Sequence, residues 1–185
     1  PHYEAFVDEF AWQKTKAKEE KRRASAEPLF HAFKSRFKRF RVALLNRNKI
    51  AALTCEILSK SPERPLTIVE PGCGNAINLL RLMQQLPERV QQRCEPFGIE
   101  LSRNLAAESE NNLFRYGGSC HHADAITGLG RFPAKSVDAI ILSSFLEHEI
   151  NPLPLLRSCR DCLHADGRII IKVPNFDCFG RHVRG

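Results

Sequence analysis

Between residues 66 and 173, short apolar runs rich in Val and Ile alternate with stretches whose apolar positions recur every three or four residues. The first pattern predicts strands and the second helices. Strands are expected at Leu66–Glu70, Glu95–Glu100, Ser119–Asp124, Ser136–Ser144 and Arg168–Val173. The fourth is apolar almost throughout, as a strand covered on both faces should be. Helical spacing predicts Ala76–Leu86, capped by Asn75, with Ile77, Leu80, Leu82 and Met83 facing inward and Pro87 as its stop. A second helix should run from a Ser102 cap to about Phe114, with Gly117 and Gly118 past its end. A third is expected over Leu153–Leu163, closed by Asp166-Gly167. Strands alternating with helices of this length predict an α/β fold with a parallel sheet built from βαβ units.

Ahead of this region the pattern changes. Phe30, Phe33, Phe37, Phe40 and Leu44 recur at 3-4-3-4 spacing, one apolar stripe on a helix. A further helix, Arg47–Leu58, should turn Ile50, Leu53 and Ile57 toward the core. Residues 1–25 read as a loosely held helix or tail. The chain therefore divides into a helical extension or cap over residues 1–62 and an α/β domain over residues 63–185.

Charge follows the same division. Residues 1–65 hold 15 Lys/Arg against 8 Asp/Glu, whereas residues 66–185 hold 13 of each, so the net charge of +7 belongs to the extension. Lys34, Arg36, Lys38, Arg39, Arg41, Arg47 and Lys49 occur with no acid among them. The plain reading is a cap helix with a solvated basic face; an RNA- or membrane-facing surface is the other. A seam this regular suits burial better than base stacking, which needs exposed aromatics.

Candidate chemistry sits where the first strand ends. Glu70-Pro71-Gly72-Cys73-Gly74-Asn75-Ala76 places a carboxylate at the strand tip, then two glycines that let backbone approach a ligand, then a helix start. A dinucleotide turn would hold a pyrophosphate here, which Glu70 would repel, and position 77 is Ile77 rather than a third glycine. A phosphate-binding P-loop lacks its Lys-Ser or Lys-Thr. A cationic nucleoside free of phosphate fits better, with a purely structural βα turn as the bland reading.

These residues resemble the first motif of the class I S-adenosylmethionine-dependent methyltransferases, an acid followed by glycines, with Ala76 where a third glycine is usual. The resemblance implies a Rossmann-like parallel sheet sandwiched by helices, with five strands visible here, and S-adenosylmethionine as co-substrate. It implies that Glu70, Gly72 and Gly74 form the turn of the cofactor site. Glu100 would accept the ribose hydroxyls with Leu101 beside it, although the thirty positions from Glu70 exceed the ~20 typical of dinucleotide folds. The polar stretch Pro87–Arg93 would absorb the excess. Asp124 and Ala125 would meet the adenine, the alternative for Asp124 being a helix cap. Ser143, with Ser144, lies at the ligand end of the fourth strand. Phe145-Leu146-Glu147-His148-Glu149 resembles the Leu-Glu-His run of small-molecule methyltransferases. His148, then Glu147, are the base candidates for a hydroxyl acceptor, against a reading as pocket-wall residues. Asp138, at the strand entrance, is expected to be structural.

The implied function is methyl transfer to an oxygen or nitrogen of a small or medium-sized acceptor. Alternatives are an RNA methyltransferase using the basic segment and a non-catalytic module that binds S-adenosylmethionine. The Asn/Asp-Pro-Pro-Tyr/Phe motif of adenine-amino enzymes is absent, since Ser143-Ser144-Phe145-Leu146 stands there, and so is the Pro-Cys of cytosine-carbon enzymes. Both gaps weaken DNA-base methylation. Seven cysteines without small-scaffold spacing favour reduced thiols and a cytoplasmic setting. Cys159-x-x-Cys162 has no second pair and His121-His122 point to opposite strand faces, so no metal is expected. No apolar stretch approaches the ~20 residues of a membrane span, and nothing in the sequence sets an oligomeric state. Family members usually carry two further strands beside the fifth. Only twelve residues follow Val173, so a partial chain is expected, with Phe176 and Phe179 left uncovered.

Overall fold

The computed structural model describes residues 12–14, 16–17, 49–60 and 63–174. The Phe30–Leu44 stripe, its basic residues up to Arg47, and Phe176 and Phe179 lie outside the described residues. A helix α1 (Lys49–Ser59) precedes a sheet of β1 (Leu66–Pro71), β2 (Cys94–Glu100), β3 (Ser119–His122), β4 (Val137–Ser143) and β5 (Leu163–Lys172). The helices between them are α2 (Ile77–Met83), α3 (Glu88–Gln91), α4 (Arg103–Leu113), α5 (Ala125–Leu129) and α6 (Pro152–Cys162). The strand order is β3-β2-β1-β4-β5, and every pair is parallel. Such an order has its reversal between β1 and β4, where α/β sheets open a crevice at the carboxyl ends of the strands.

Alternate residues of the central strands feed two cores. Ile68 and Ile141 join Ala51, Leu58, Leu79, Leu82 and Leu113 on one face. Val69 and Ile140 join Leu129, Leu155, Cys159 and Cys162 on the other. The Cys159/Cys162 pair is therefore core packing. At the amino end of β4, buried Asp138 accepts hydrogen bonds from Arg64 Nη1 and Nη2 (3.1 and 2.5 Å) and from the Thr67 N–H (2.9 Å). That clamp ties the lead-in to β1 to the start of β4, the structural role the sequence indicated.

Local departures have physical causes. α1 buries Ala51, Thr54 and Leu58, while Leu53 is half exposed. Thr54 can face inward because its hydroxyl donates to the Ile50 carbonyl (2.7 Å), so burial leaves no orphan. Asn75 does not cap α2. Ala76 occupies that place at φ 60°, and the Asn75 amide instead donates to Glu108 (3.3 Å). On α2, Leu79 takes the inward place expected of Ile77, which is exposed. β3 ends at His122, because Asp124 already caps α5. β5 starts early at Leu163 and then slips register, so residues 164–167 bulge between the pairings of Val137 with Leu163 and of Ala139 with Arg168. Ser102 caps α4 by accepting from the Leu105 N–H (3.4 Å), as expected.

Candidate functional site

Three main-chain hydrogen bonds join neighbouring strand exits at the carboxyl end of the sheet. The Gly72 N–H donates to the Ile99 carbonyl (2.8 Å), the Ala123 N–H to the Glu100 carbonyl (3.1 Å), and the Ser144 N–H to the Lys172 carbonyl (2.8 Å). Glu70, Glu100 and Asp124 thus stand at or just past the ends of three adjacent parallel strands.

The turn after β1 needs its glycines for two different reasons. Gly72 and Gly74 both have positive φ, at 67° and 57°. A Cβ on Gly72 would also lie 2.3 Å from Phe145 Cδ2, so the ring that follows β4 rests directly on the turn. Above Gly74 nothing lies within 4 Å, leaving open space, and its N–H donates to Glu100 Oε2 (2.9 Å). Glu100 Oε1 accepts from the Ser102 N–H (2.9 Å). Each of these oxygens keeps a second lone pair for a ligand hydroxyl. Ala76 adopts the left-handed conformation that a glycine would take freely. The chain keeps the turn at a cost of order 1–2 kcal/mol.

Glu70 is the most perturbed carboxyl of the site. It is 2% exposed; Oε1 accepts a long bond from Asn78 Nδ2 (3.4 Å), and Oε2 has no partner among the described residues. Burial pushes its pKa up to about 8, with Asn78 and the Lys172 ammonium opposing that rise. A buried acceptor left without a donor is an invitation to a cationic or hydrogen-bonding ligand.

The remaining candidates are more exposed. Asp124 caps α5, accepting from the Thr127 N–H (2.9 Å), and the Thr127 hydroxyl together with that N–H holds its carboxyl below the usual range. Its side chain is thus engaged as the cap that the sequence offered as the alternative to an adenine contact, while Ala125 begins the helix. Leu101 is 43% exposed and Ile126 44%, two apolar side chains bracketing this part of the strand ends. Ser143 ends β4 half-buried, and Ser144 follows at φ 54°. Glu147 and His148 are exposed on a 3-10 turn, Leu146–His148, whose His148 N–H returns to the Phe145 carbonyl (3.0 Å). His121 packs among Phe97 and Phe132, while His122 reaches the Leu101 carbonyl (3.0 Å), confirming opposite strand faces. Among the described residues no group of His, Cys, Asp and Glu is arranged to hold a metal. None of their helices is long and apolar enough to cross a membrane.

Sequence reasoning did not single out Phe145, Asn78 or Lys172 as parts of this site. Asn78, two positions past the turn, was detectable as an α2 residue facing back toward β1. The other two meet the turn only through the sheet.

A family model described as a methyltransferase domain matches residues 69–171. No curated protein matches the sequence. Among solved structures, a SAM-dependent methyltransferase from Archaeoglobus fulgidus is similar, with a TM-score of 0.54 at 20% identity over 80% of this chain and 62% of that one. Another, from Aquifex aeolicus, has a TM-score of 0.54 at 14% identity, over 78% of this chain and 76% of that one. A geranyl diphosphate methyltransferase in complex with GPP and sinefungin has a TM-score of 0.52 at 16% identity. The chain covers 67% of its own length in that match and spans 44% of that protein.

Proposed function

Because this chain belongs to the class I S-adenosylmethionine-dependent methyltransferase family, we propose that it transfers the methyl group of S-adenosylmethionine to a small or medium-sized acceptor carrying an oxygen or nitrogen nucleophile. The observation that carries this reading is the pairing of Glu70, buried with one oxygen unpartnered, with a turn open above Gly74. The donor set suits the co-substrate: carboxyl groups for a cation and for ribose hydroxyls, and apolar side chains for a flat base. When bound, S-adenosylmethionine supplies an electrophilic carbon that needs no protein nucleophile.

The residues then divide the work. Glu70 stands beneath the amino-acid and sulfonium end, where an arriving cation draws off the proton that burial otherwise holds on its carboxyl and pairs with the carboxylate so formed. Gly72 and Gly74 let the backbone come close, and Gly74 holds Glu100 ready to accept the ribose hydroxyls. Leu101 and Ile126 flank the base, with Ala125 at the strand exit beside it and Asp124 fixing the helix there. Ser143 borders the crevice, and Phe145 walls the acceptor side against water. Alignment of nucleophile and carbon can account for ~7–11 kcal/mol of the barrier. A general base adds a factor of about 10²–10⁴, for which His148, then Glu147, is the candidate when the acceptor is a hydroxyl. The six described cysteines are free thiols, which favours a reducing, cytoplasmic setting.

Titration calorimetry with S-adenosylmethionine and S-adenosylhomocysteine, followed by an acceptor screen that reads methylated product by mass, tests the proposal. Saturable binding and product support it. No heat with either nucleoside at millimolar concentration refutes it.

A further inference from the structure

Cys73 lies between the two positive-φ glycines, and its sulfur sits 3.9 Å from that of Cys120 on β3. The two meet above Gly98 of β2, whose missing side chain makes the room. A Cβ there would be 2.5 Å from Cys73 Sγ and 3.1 Å from Cys120 Sγ. Ser109 Oγ lies 3.4 Å from Cys73 Sγ, so the sulfurs share a small polar nook inside an otherwise apolar core. We propose that Cys73 and Cys120 form a reversible disulfide that switches the cofactor turn off under oxidising conditions.

The two thiols are unequal. Cys73 is buried, and its contact with Cys120 together with that burial holds its pKa well above the usual thiol value. Cys120 is half-buried, and the same contact lowers its pKa. Cys120, the more exposed of the two sulfurs, is therefore the one that reacts first as its thiolate. With oxidised glutathione as oxidant, the Cys120 thiolate attacks one sulfur of the glutathione disulfide and expels a glutathione thiolate. Cys73 then loses its proton, attacks Cys120 Sγ and expels the second glutathione thiolate. Two protein thiols lose two protons and two electrons, and the oxidant is reduced to two thiols.

The cross-link changes the turn because the sulfurs must close from 3.9 Å to about 2.05 Å. Cys73 sits where its own N–H bonds the Ile99 carbonyl (3.3 Å) and its neighbour Gly74 holds Glu100. Drawing its side chain toward β3 shifts those anchors together. The site itself stands on the geometry; its effect on the co-substrate rests on the proposed function.

The test treats the full chain with oxidised glutathione, blocks free thiols, and maps disulfide-linked peptides by mass spectrometry. Calorimetry with S-adenosylmethionine runs in parallel before and after dithiothreitol. The expected result is a Cys73–Cys120 linked peptide, an affinity at least tenfold weaker, and full recovery on reduction. Cys120→Ser, with Cys120→Ala as a second variant, should keep the reduced affinity and resist the oxidant. Absence of that linked peptide overturns the site, whatever the nucleoside does. A linked peptide with unchanged affinity, or a Cys120→Ser chain equally sensitive to the oxidant, overturns the switch. Reduced protein that binds no nucleoside counts against the proposed function instead, and the peptide map still decides the disulfide.

Discussion

Replacing Glu70 by Gln isolates the electrostatic cost of its position. The amide keeps the shape and the Asn78 contact but cannot ionise. In the folded chain Glu70 holds its proton until about pH 8, whereas in the unfolded chain it releases it near 4.5. The folded state thus binds more protons throughout that window, and stability must fall as pH rises. Glu70 contributes fully below pH 4.5, and its contribution is lost as pH climbs toward 8. At ~1.4 kcal/mol per pH unit, the loss over the whole window is about 5 kcal/mol, and between pH 5 and 7 about 3 kcal/mol. Because the side chain is 2% exposed, solvent screening removes little of this. Urea unfolding of the wild type and Glu70→Gln, each at pH 5, 6, 7 and 8, reads the effect directly. All other titrations cancel in the difference, so the variant should gain on the wild type by more than 1 kcal/mol per unit. Parallel stability curves, with a difference that stays constant from pH 5 to 8, would show that Glu70 is ionised throughout. The assignment of Glu70 as a buried, under-partnered acid would then be wrong.

Gly72→Ala should weaken S-adenosylmethionine binding at least tenfold in calorimetry, since its Cβ would displace the Phe145 ring and oppose φ 67°. Unchanged affinity would show that the turn tolerates the shift. Arg64→Ala should lower unfolding free energy by about 3 kcal/mol, leaving Asp138 buried without its charge partner. Arg64 is itself one-third exposed, which places the effect at the low end of that range. A loss under 1 kcal/mol in urea titration contradicts the clamp. Once an acceptor is found, His148→Ala should cut kcat by ~10²–10⁴ if it is a hydroxyl, with a shifted pH profile. Full turnover removes His148 from the chemistry.

The strands and the turn were legible because local chemistry dictates them. A β-branched run, an acid and spaced glycines specify a strand tip and a tight bend before any tertiary contact is known. Asp124 offered two readings, a helix cap and an adenine contact, and the Asp-x-x-Thr spacing forms the cap through a bond internal to four residues. What the sequence concealed lies across the sheet. Phe145 meets Gly72 across 73 positions, and no periodicity records that contact. On α1, Ile50 and Ile57 pack against the core as their spacing indicated, but Leu53 is half exposed while Ala51, Thr54 and Leu58 fill the centre of that face. Ala76, standing where a third glycine is usual, carries the backbone strain that a glycine there would avoid.

Stability and chemistry occupy opposite poles of this sheet. The Arg64–Asp138–Thr67 clamp grips the amino ends, and Ser144 beside the crevice lies six positions, about 20 Å, further along the chain from Asp138. Changes so far apart add rather than interact. Reinforcing the lower pole would therefore offset disruptive changes at the upper one without touching it, and acceptor preference can drift while the scaffold stays folded.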